Sequence, residues 1–389
     1  MKFFKNGIVY ALILLVAAFV LRFFMMDFLN QNYSVWLRLL AVLIIIGFGA
    51  FFVLRGCADI IEETTGVLSE RTKLAGGLLQ SFGTAFPDMV LGIMAALISL
   101  RLRSTDYALA INYAIIAAAT TFGSNFFNIA YSTWCIWRQN LANLKNKSLF
   151  MIPFLKKAGI VKPIKEHLRK PSLAELNTSI DVSTALTVLT AMVALSMVIF
   201  GQVKNMPVGF VGDLYQLIRP IGMVIFALGV LILYHFRKTQ RPESMVEEII
   251  EEEKYFSKKS NLFIWLALII SGITILLAAE TMVHAIETLS SITSIPYVLT
   301  GVLAGIIGCL GEIMVIHNFS VNPNGRIGDA VVGVAMDNIV TIMGAAIVAI
   351  LGGIFLGGNS LILIFVIILT FNTILIWQIS NLKNYFLQK

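Results

Sequence analysis

The stretch LILIFVIILTFNTILIWQI, residues 361–379, carries no charged side chain and matches the ~20 apolar residues a helix needs to cross a bilayer. It is not an isolated feature. The 389 residues are 58% hydrophobic and 13% charged, with a mean hydropathy of +0.86, which overrules the two or three soluble domains that length alone would suggest. Comparable runs are read at 7–29, 35–54, 72–100, 106–137, 183–201, 215–236, 262–279, 295–317 and 327–353, and little chain is left for anything else. The fold class expected is an all-α integral membrane protein with about ten transmembrane helices.

Lys2 and Lys5 precede the first run as they would in a signal peptide, but the run is long and has no clear small-residue cleavage site. It is read as a retained helix within an N-terminal unit, 1–34. Cys57, Cys135 and Cys309 lie far apart, each in or beside an apolar segment, and suggest neither a disulfide framework nor a metal knot.

The net charge of +7 would suit a nucleic-acid binder, so its position has to decide. Arg138, Lys145, Lys147, Lys156, Lys157, Lys162, Lys165, Arg169 and Lys170 cluster between the fourth and fifth runs, where the positive-inside rule puts them on the cytoplasmic side. The charge encodes topology. An even number of spans then places both termini in the cytoplasm of a multi-pass protein of the cell membrane, plasma or inner. Arg101 and Arg103 fall on the other side and count against this orientation.

Two hydrophilic stretches interrupt the apolar pattern. The basic one covers 138–181; the other, 237–260, mixes Glu243, Glu247, Glu248, Glu251, Glu252 and Glu253 with Met245, Val246, Ile249 and Ile250 at helical spacing. The second is read as a solvated amphipathic helix and a cytoplasmic linker between two halves, 35–236 and 261–389; a regulatory cation site or docking surface is the alternative. Asp88 follows the start of the second run by nearly the same interval as Glu312 follows the start of the seventh. Asp106 and Asp329 then open the next helix in each half, where helix N-capping is the expected role. An odd number of spans separates the halves, so the second repeat is expected to be inverted, as in many secondary transporters.

In the third run, Gln80-Ser81-Phe82-Gly83-Thr84-Ala85-Phe86-Pro87-Asp88 puts a proline and a carboxylate near mid-helix. Proline removes a backbone donor and is expected to free carbonyl oxygens there, an irregularity tolerated at membrane depth only inside protein or along a cavity. A carboxylate at that depth costs ~2.5–3.5 kcal/mol and needs a partner. With the Thr84 hydroxyl, it offers hard oxygen ligands suited to Ca²⁺ or Na⁺. The next run carries Gly123-Ser124-Asn125-Phe126-Phe127-Asn128, whose small and amide residues bring helices close and add oxygens. In the second half, Gly308-Cys309-Leu310-Gly311-Glu312 and Met336-Asp337-Asn338-Ile339-Val340-Thr341 occupy the corresponding places. Asp88, Glu312 and Asp337 form the candidate metal-ligating set, and no basic residue shares their depth in these four segments. Arg22, Arg38 and Arg219 lie in other segments, where snorkelling is the expected role.

These stretches resemble the cation/calcium exchanger superfamily, best known from sodium/calcium exchangers. Its two repeats each carry Gly-Thr-Ser-x-Pro-Glu/Asp, followed on the next helix by Gly-Ser-Asn-x-Phe-Asn/Asp. Residues 83–88 and 123–128 match the first repeat; 308–341 matches the second in outline. The chain departs in having Asp88 for the commoner Glu and Gly311 for proline. A longer interval from Asp88 to Asn128 leaves Thr120, Thr121 or Ser124 as alternatives at the ion level, and either Asp337 or Asn338 takes the place of the family's polar ligand. An extra helix stands in front, and the family's last helix has no counterpart.

The resemblance implies two inverted repeats around a four-helix ion-binding core (70–137 and 293–353) and a secondary antiporter exchanging Ca²⁺ for Na⁺ by alternating access. Cations would be bound by Thr84, Asp88, Ser124, Asn125, Asn128, Glu312, Asp337, Asn338 and Thr341, with no cofactor besides the transported ions. Exchange of Ca²⁺ or another divalent ion for H⁺ is the nearest alternative; a non-transporting scaffold or sensor with a degenerate site is another. An enzyme is not expected, because no metal-binding His/Glu pair or Ser/His nucleophile lies at membrane depth and His284 and His317 lie near segment ends.

Overall fold

A computed structural model of the chain describes residues 7–72, 76–102, 104–167, 170–200, 213–237, 255–322, 327–351 and 359–387. Helix α1, Gly7–Val20, runs on through a π turn and a 3-10 turn to Leu29. Helix α2, Val35–Phe48, starts at Ser34, whose hydroxyl accepts the Leu37 N–H at 3.4 Å. Through the π segment Gly49–Leu54 it continues into α3, Arg55–Thr72. The second segment therefore does not end at residue 54, where the first charges come in. Helix continuity survives those charges, and Thr64 and Thr65 return their hydroxyls to the Ile60 and Ile61 carbonyls at 2.7 and 2.6 Å, so they add no unpaired donor.

Helix α4, Gly76–Leu102, contains Pro87 and runs on through it. Proline's fixed φ suits a helix, and the lost N–H costs one bond without ending the element. Helix α5, Tyr107–Lys145, is capped as expected by Asp106, which accepts the Leu109 N–H at 3.0 Å. It ends at Asn146 in the left-handed region (φ 50°), a conformation asparagine tolerates well.

The basic stretch 138–181 is not a plain loop. After the last turns of α5 come strands β1, Leu149–Ile152, and β2, Leu155–Val161, paired antiparallel with Leu149 opposite Val161, and then α6, Leu173–Phe200. The hairpin is held to α5 by side chains that sequence could not pair with it. Trp134 donates to the Met151 carbonyl at 3.1 Å, Arg138 donates to the Phe150 carbonyl, and Gln139 donates to the Lys162 carbonyl at 2.8 Å. The remaining helices are α7, Asp213–Arg237; α8, Asn261–Thr293; α9, Tyr297–Gly308; α10, Leu310–Val321; α11, Ile327–Leu351; and α12, Asn359–Leu387. The glutamate-rich part of the linker, 243–253, lies outside the described residues.

Asp329 does not cap α11. It sits in the first turn, and its N–H is accepted at 3.1 Å by Glu175 of α6, so the cap comes from another helix.

Among the described residues, nine helices are long and apolar enough to cross a membrane, ten if α9 and α10 count as one span bent by 53°. Large apolar side chains such as Leu43, Ile269 and Val366 are exposed along them, as lipid-facing residues are. The protein is an all-α, multi-pass integral membrane protein. Its buried apolar residues form two cores. One joins α5, α6, α7, α11, α12 and the hairpin; the other joins α1, α2, α3 and α8 with α4. Helices α4, α5 and α11 contribute to both and so run along the seam.

Candidate cation site

At the seam, α9 lies against α5. Gly301 meets Ala119, Gly305 meets the backbone of Thr120 and Ser124, and Gly123 meets Val302, so any side chain at these glycines would push the helices apart. Such close approach fixes the depth at which the α9 chain breaks. The break falls at Cys309 (φ −88°, ψ 10°) between α9 and α10, so the second half bends without a proline.

Gly308, just before the break, presses on the Asp88 carboxylate: a Cβ there would overlap Oδ1 and stand 2.9 Å from Cγ. Just after it, Glu312 turns inward. Ligand atoms of Asp88, Cys309 and Glu312 lie within 4.8 Å of one another, all three buried. Asp88 is 1% and Glu312 4% exposed. Among the described residues neither forms an ion pair, and Asp88 Oδ1 and Glu312 Oε2 have no hydrogen-bond partner. Asp337 of α11, also buried, is close enough to act on both through its charge.

The amides complete the cluster. Asn128 of α5 donates to the Asn338 carbonyl oxygen of α11 at 3.1 Å, joining the two halves of the chain directly. Asn128 also lies near Glu312, and Ser124 near Asp88. Asn125 is buried, and among the described residues both its amide atoms are unpartnered. The Thr341 hydroxyl is given to the Asp337 carbonyl at 3.0 Å, that of Thr121 to Ala117 at 3.0 Å and that of Ser124 to Thr121 at 3.1 Å. Their lone pairs remain available as acceptors. The Thr84 side chain lies outside the described residues.

Of the residues expected from sequence, Asp88, Ser124, Asn128, Glu312, Asp337 and Asn338 therefore come together. Asn338 is the one that meets Asn128, while Asp337 adds charge beside it. Cys309 was missed as part of the cluster; its nearness to the acids depends on the break, which no motif announced. Asp59 and Glu62 of α3 were missed as well. They line a cavity of about 210 Å³ together with Glu312, and their spacing with Arg55, along one face of a helix, was a usable signal.

Arg22 grips Glu280 of α8 with two nitrogens, at 2.9 and 3.1 Å, a paired fork that ties the extra N-terminal helix to the bundle. Arg38 donates to the Leu29 carbonyl at 3.1 Å.

Buried polar atoms without partners cost ~1–3 kcal/mol each, and charged ones more. A cluster of carboxylate and amide oxygens with no described side-chain cation paired to Asp88 or Glu312 is suited to holding a hard metal ion. The fold and this cluster define a polytopic membrane protein with a buried group of carboxyl and amide side chains. No protein-family model matches the chain, and no curated protein matches it closely enough to count as a relative.

Proposed function

We propose that the protein is a secondary active antiporter that exchanges Ca²⁺ for Na⁺ by alternating access. The observation that carries this reading is the meeting of Asp88 and Glu312, one from each half of the chain, within one buried cluster that holds no side-chain counterion for them among the described residues. Cations neutralise such a pair and, by competing for it, couple two fluxes. Asp88, Glu312 and Asp337 would hold Ca²⁺, with Ser124, Asn125, Asn128, Asn338, Thr341 and Thr84 as further oxygen donors.

The reading includes two inverted repeats, 35–236 and 261–389. Three features support it: an acid on α4 matched by one on α10, an asparagine on α5 matched by one on α11, and the crosswise packing of α4 on α11 and α5 on α9. Helices α4, α5, α9–α10 and α11 would form the fixed core, and the others would move against it. The chain would lie in the cell membrane with both termini cytoplasmic.

Neutral oxygens outnumber acids in the cluster, which favours Na⁺ as the coupling ion because a proton needs only one carboxylate while Na⁺ needs a shell. One observation favours H⁺ instead: carboxylate oxygens within 4.8 Å can share a proton. Ca²⁺ uptake into proteoliposomes separates the two. An outward Na⁺ gradient at fixed pH is expected to drive uptake, and Asp88→Asn and Glu312→Gln are each expected to lower the rate about a hundredfold while the protein stays folded. Uptake that follows a pH gradient and ignores Na⁺ would transfer the coupling to protons. Wild-type rates in either variant would remove that carboxylate from the site.

A further inference from the structure

Beside the buried cluster, α3 faces the break between α9 and α10 across a cavity of about 210 Å³. Its wall on α3 is a polar stripe, Arg55, Asp59 and Glu62, spaced so that all three fall on one helix face. The opposite wall includes Gly308, Gly311 and Glu312 among the apolar side chains of Ile307, Leu310, Met314 and Val315. Nothing lies within 4 Å of where a Gly311 side chain would start, so the wall is open backbone there.

Charge does not balance across this space. Asp59, Glu62 and Glu312 face it with one guanidinium, Arg55, which forms no ion pair with either α3 acid among the described residues. Asp59 and Glu62 are exposed within a candidate membrane span, Val35–Leu68, where an unpaired carboxylate needs water or a cation. Glu312 supplies the independent sign of a ligand: it is 4% exposed, it lines the cavity, and its Oε2 has no partner among the described residues. Glu312 thus lines the cavity and, through its carboxylate, approaches Asp88 and Cys309 in the inner cluster.

We infer that Asp59 and Glu62 form, with Glu312, an outer binding station for a partly hydrated divalent cation, from which the ion passes to the inner cluster by exchange at Glu312. The inference deepens the antiporter reading and rests on it for the direction of passage, but binding at the station does not need transport. A hard divalent ion fits the donors, which are carboxylate oxygens on two elements with room between them for water. Arg55 keeps the station weak enough to release its ion.

The test is equilibrium binding of ⁴⁵Ca²⁺ to the full-length protein in lipid nanodiscs. Asp59→Asn/Glu62→Gln is expected to weaken binding about tenfold, whereas the charge-keeping Asp59→Glu/Glu62→Asp should bind close to wild type and so exclude misfolding. In an Asp88→Asn background, residual binding should remain and should disappear when Asp59 and Glu62 are neutralised. Wild-type affinity in the neutralised variant would overturn the inference, as would an equal loss in the charge-keeping one. If Ca²⁺ binds with this dependence but does not enter proteoliposomes, the station stands and the antiporter reading falls. If transport proceeds and the neutralised variant half-saturates at the wild-type Ca²⁺ concentration, the antiporter stands and the station falls.

Discussion

Gly308 leaves the space that the Asp88 carboxylate fills, so the position of an acid on α4 is decided by a missing side chain on α9. A Cβ built at Gly311, three residues on, would meet nothing within 4 Å. The two glycines therefore make a matched pair of tests. Gly308→Ala is expected to displace Asp88 and cut Ca²⁺ transport by about tenfold or more, while Gly311→Ala keeps transport and gains up to ~1 kcal/mol from helix propensity. Initial uptake rates and thermal melts of the two variants check this. Equal behaviour would mean that the Asp88 position does not depend on Gly308. The Asn128–Asn338 bond is the other contact at this scale: a hydrogen bond between α5 and α11 made by an asparagine that lies near Glu312.

Helices meet their ends in one another as well as in their own caps. At the start of α6, Ser172 and Glu175 form a reciprocal capping box, with Glu175 N–H donating to the Ser172 hydroxyl at 3.1 Å and Ser172 N–H donating to Glu175 Oε2 at 3.3 Å. The other oxygen of Glu175 accepts from Asp329 in the first turn of α11, and Ser179 donates to the Gly328 carbonyl at 3.0 Å. One carboxylate thus faces the positive ends of two helix dipoles. Because α11 carries Asp337 and Asn338, this junction also sets their depth. Glu175→Ala is expected to destabilise the protein by about 1–2 kcal/mol and to lower Ca²⁺ transport with it. Thermal unfolding in detergent gives the first, and uptake by the refolded fraction gives the second. A variant as stable as wild type would show that the shared cap contributes nothing.

Across the whole molecule, α1 is bound into the bundle through Arg22–Glu280, and the hairpin seals the far end of α5. The hairpin also offers a test of orientation, since Lys157 on β2 is exposed and belongs to the basic cluster. If that cluster is cytoplasmic, Lys157→Cys in intact cells is expected to resist an impermeant thiol reagent and to react once the membrane is opened. The native Cys57, Cys135 and Cys309 are buried and give little background. Strong labelling of intact cells would reverse the orientation.

Hydropathy made the membrane class and the order of segments legible because the bilayer acts on each segment separately: about twenty apolar residues in succession favour crossing it whatever the rest of the chain does. The same local cost exposed Asp88, Glu312 and Asp337, since an acid inside an apolar run stands out without any partner being known. What depends on meeting across the fold was not legible. Arg22 finds Glu280 on α8, Cys309 joins two acids through a bend that no proline marks, and the helix read as ending at residue 54 goes on to bring Asp59 and Glu62 opposite Glu312. A charge next to an apolar run looks like the edge of the membrane when only its neighbours in sequence are known; whether it leaves the bilayer or turns into a polar cavity is decided by the helix packed against it, and that choice belongs to tertiary structure alone.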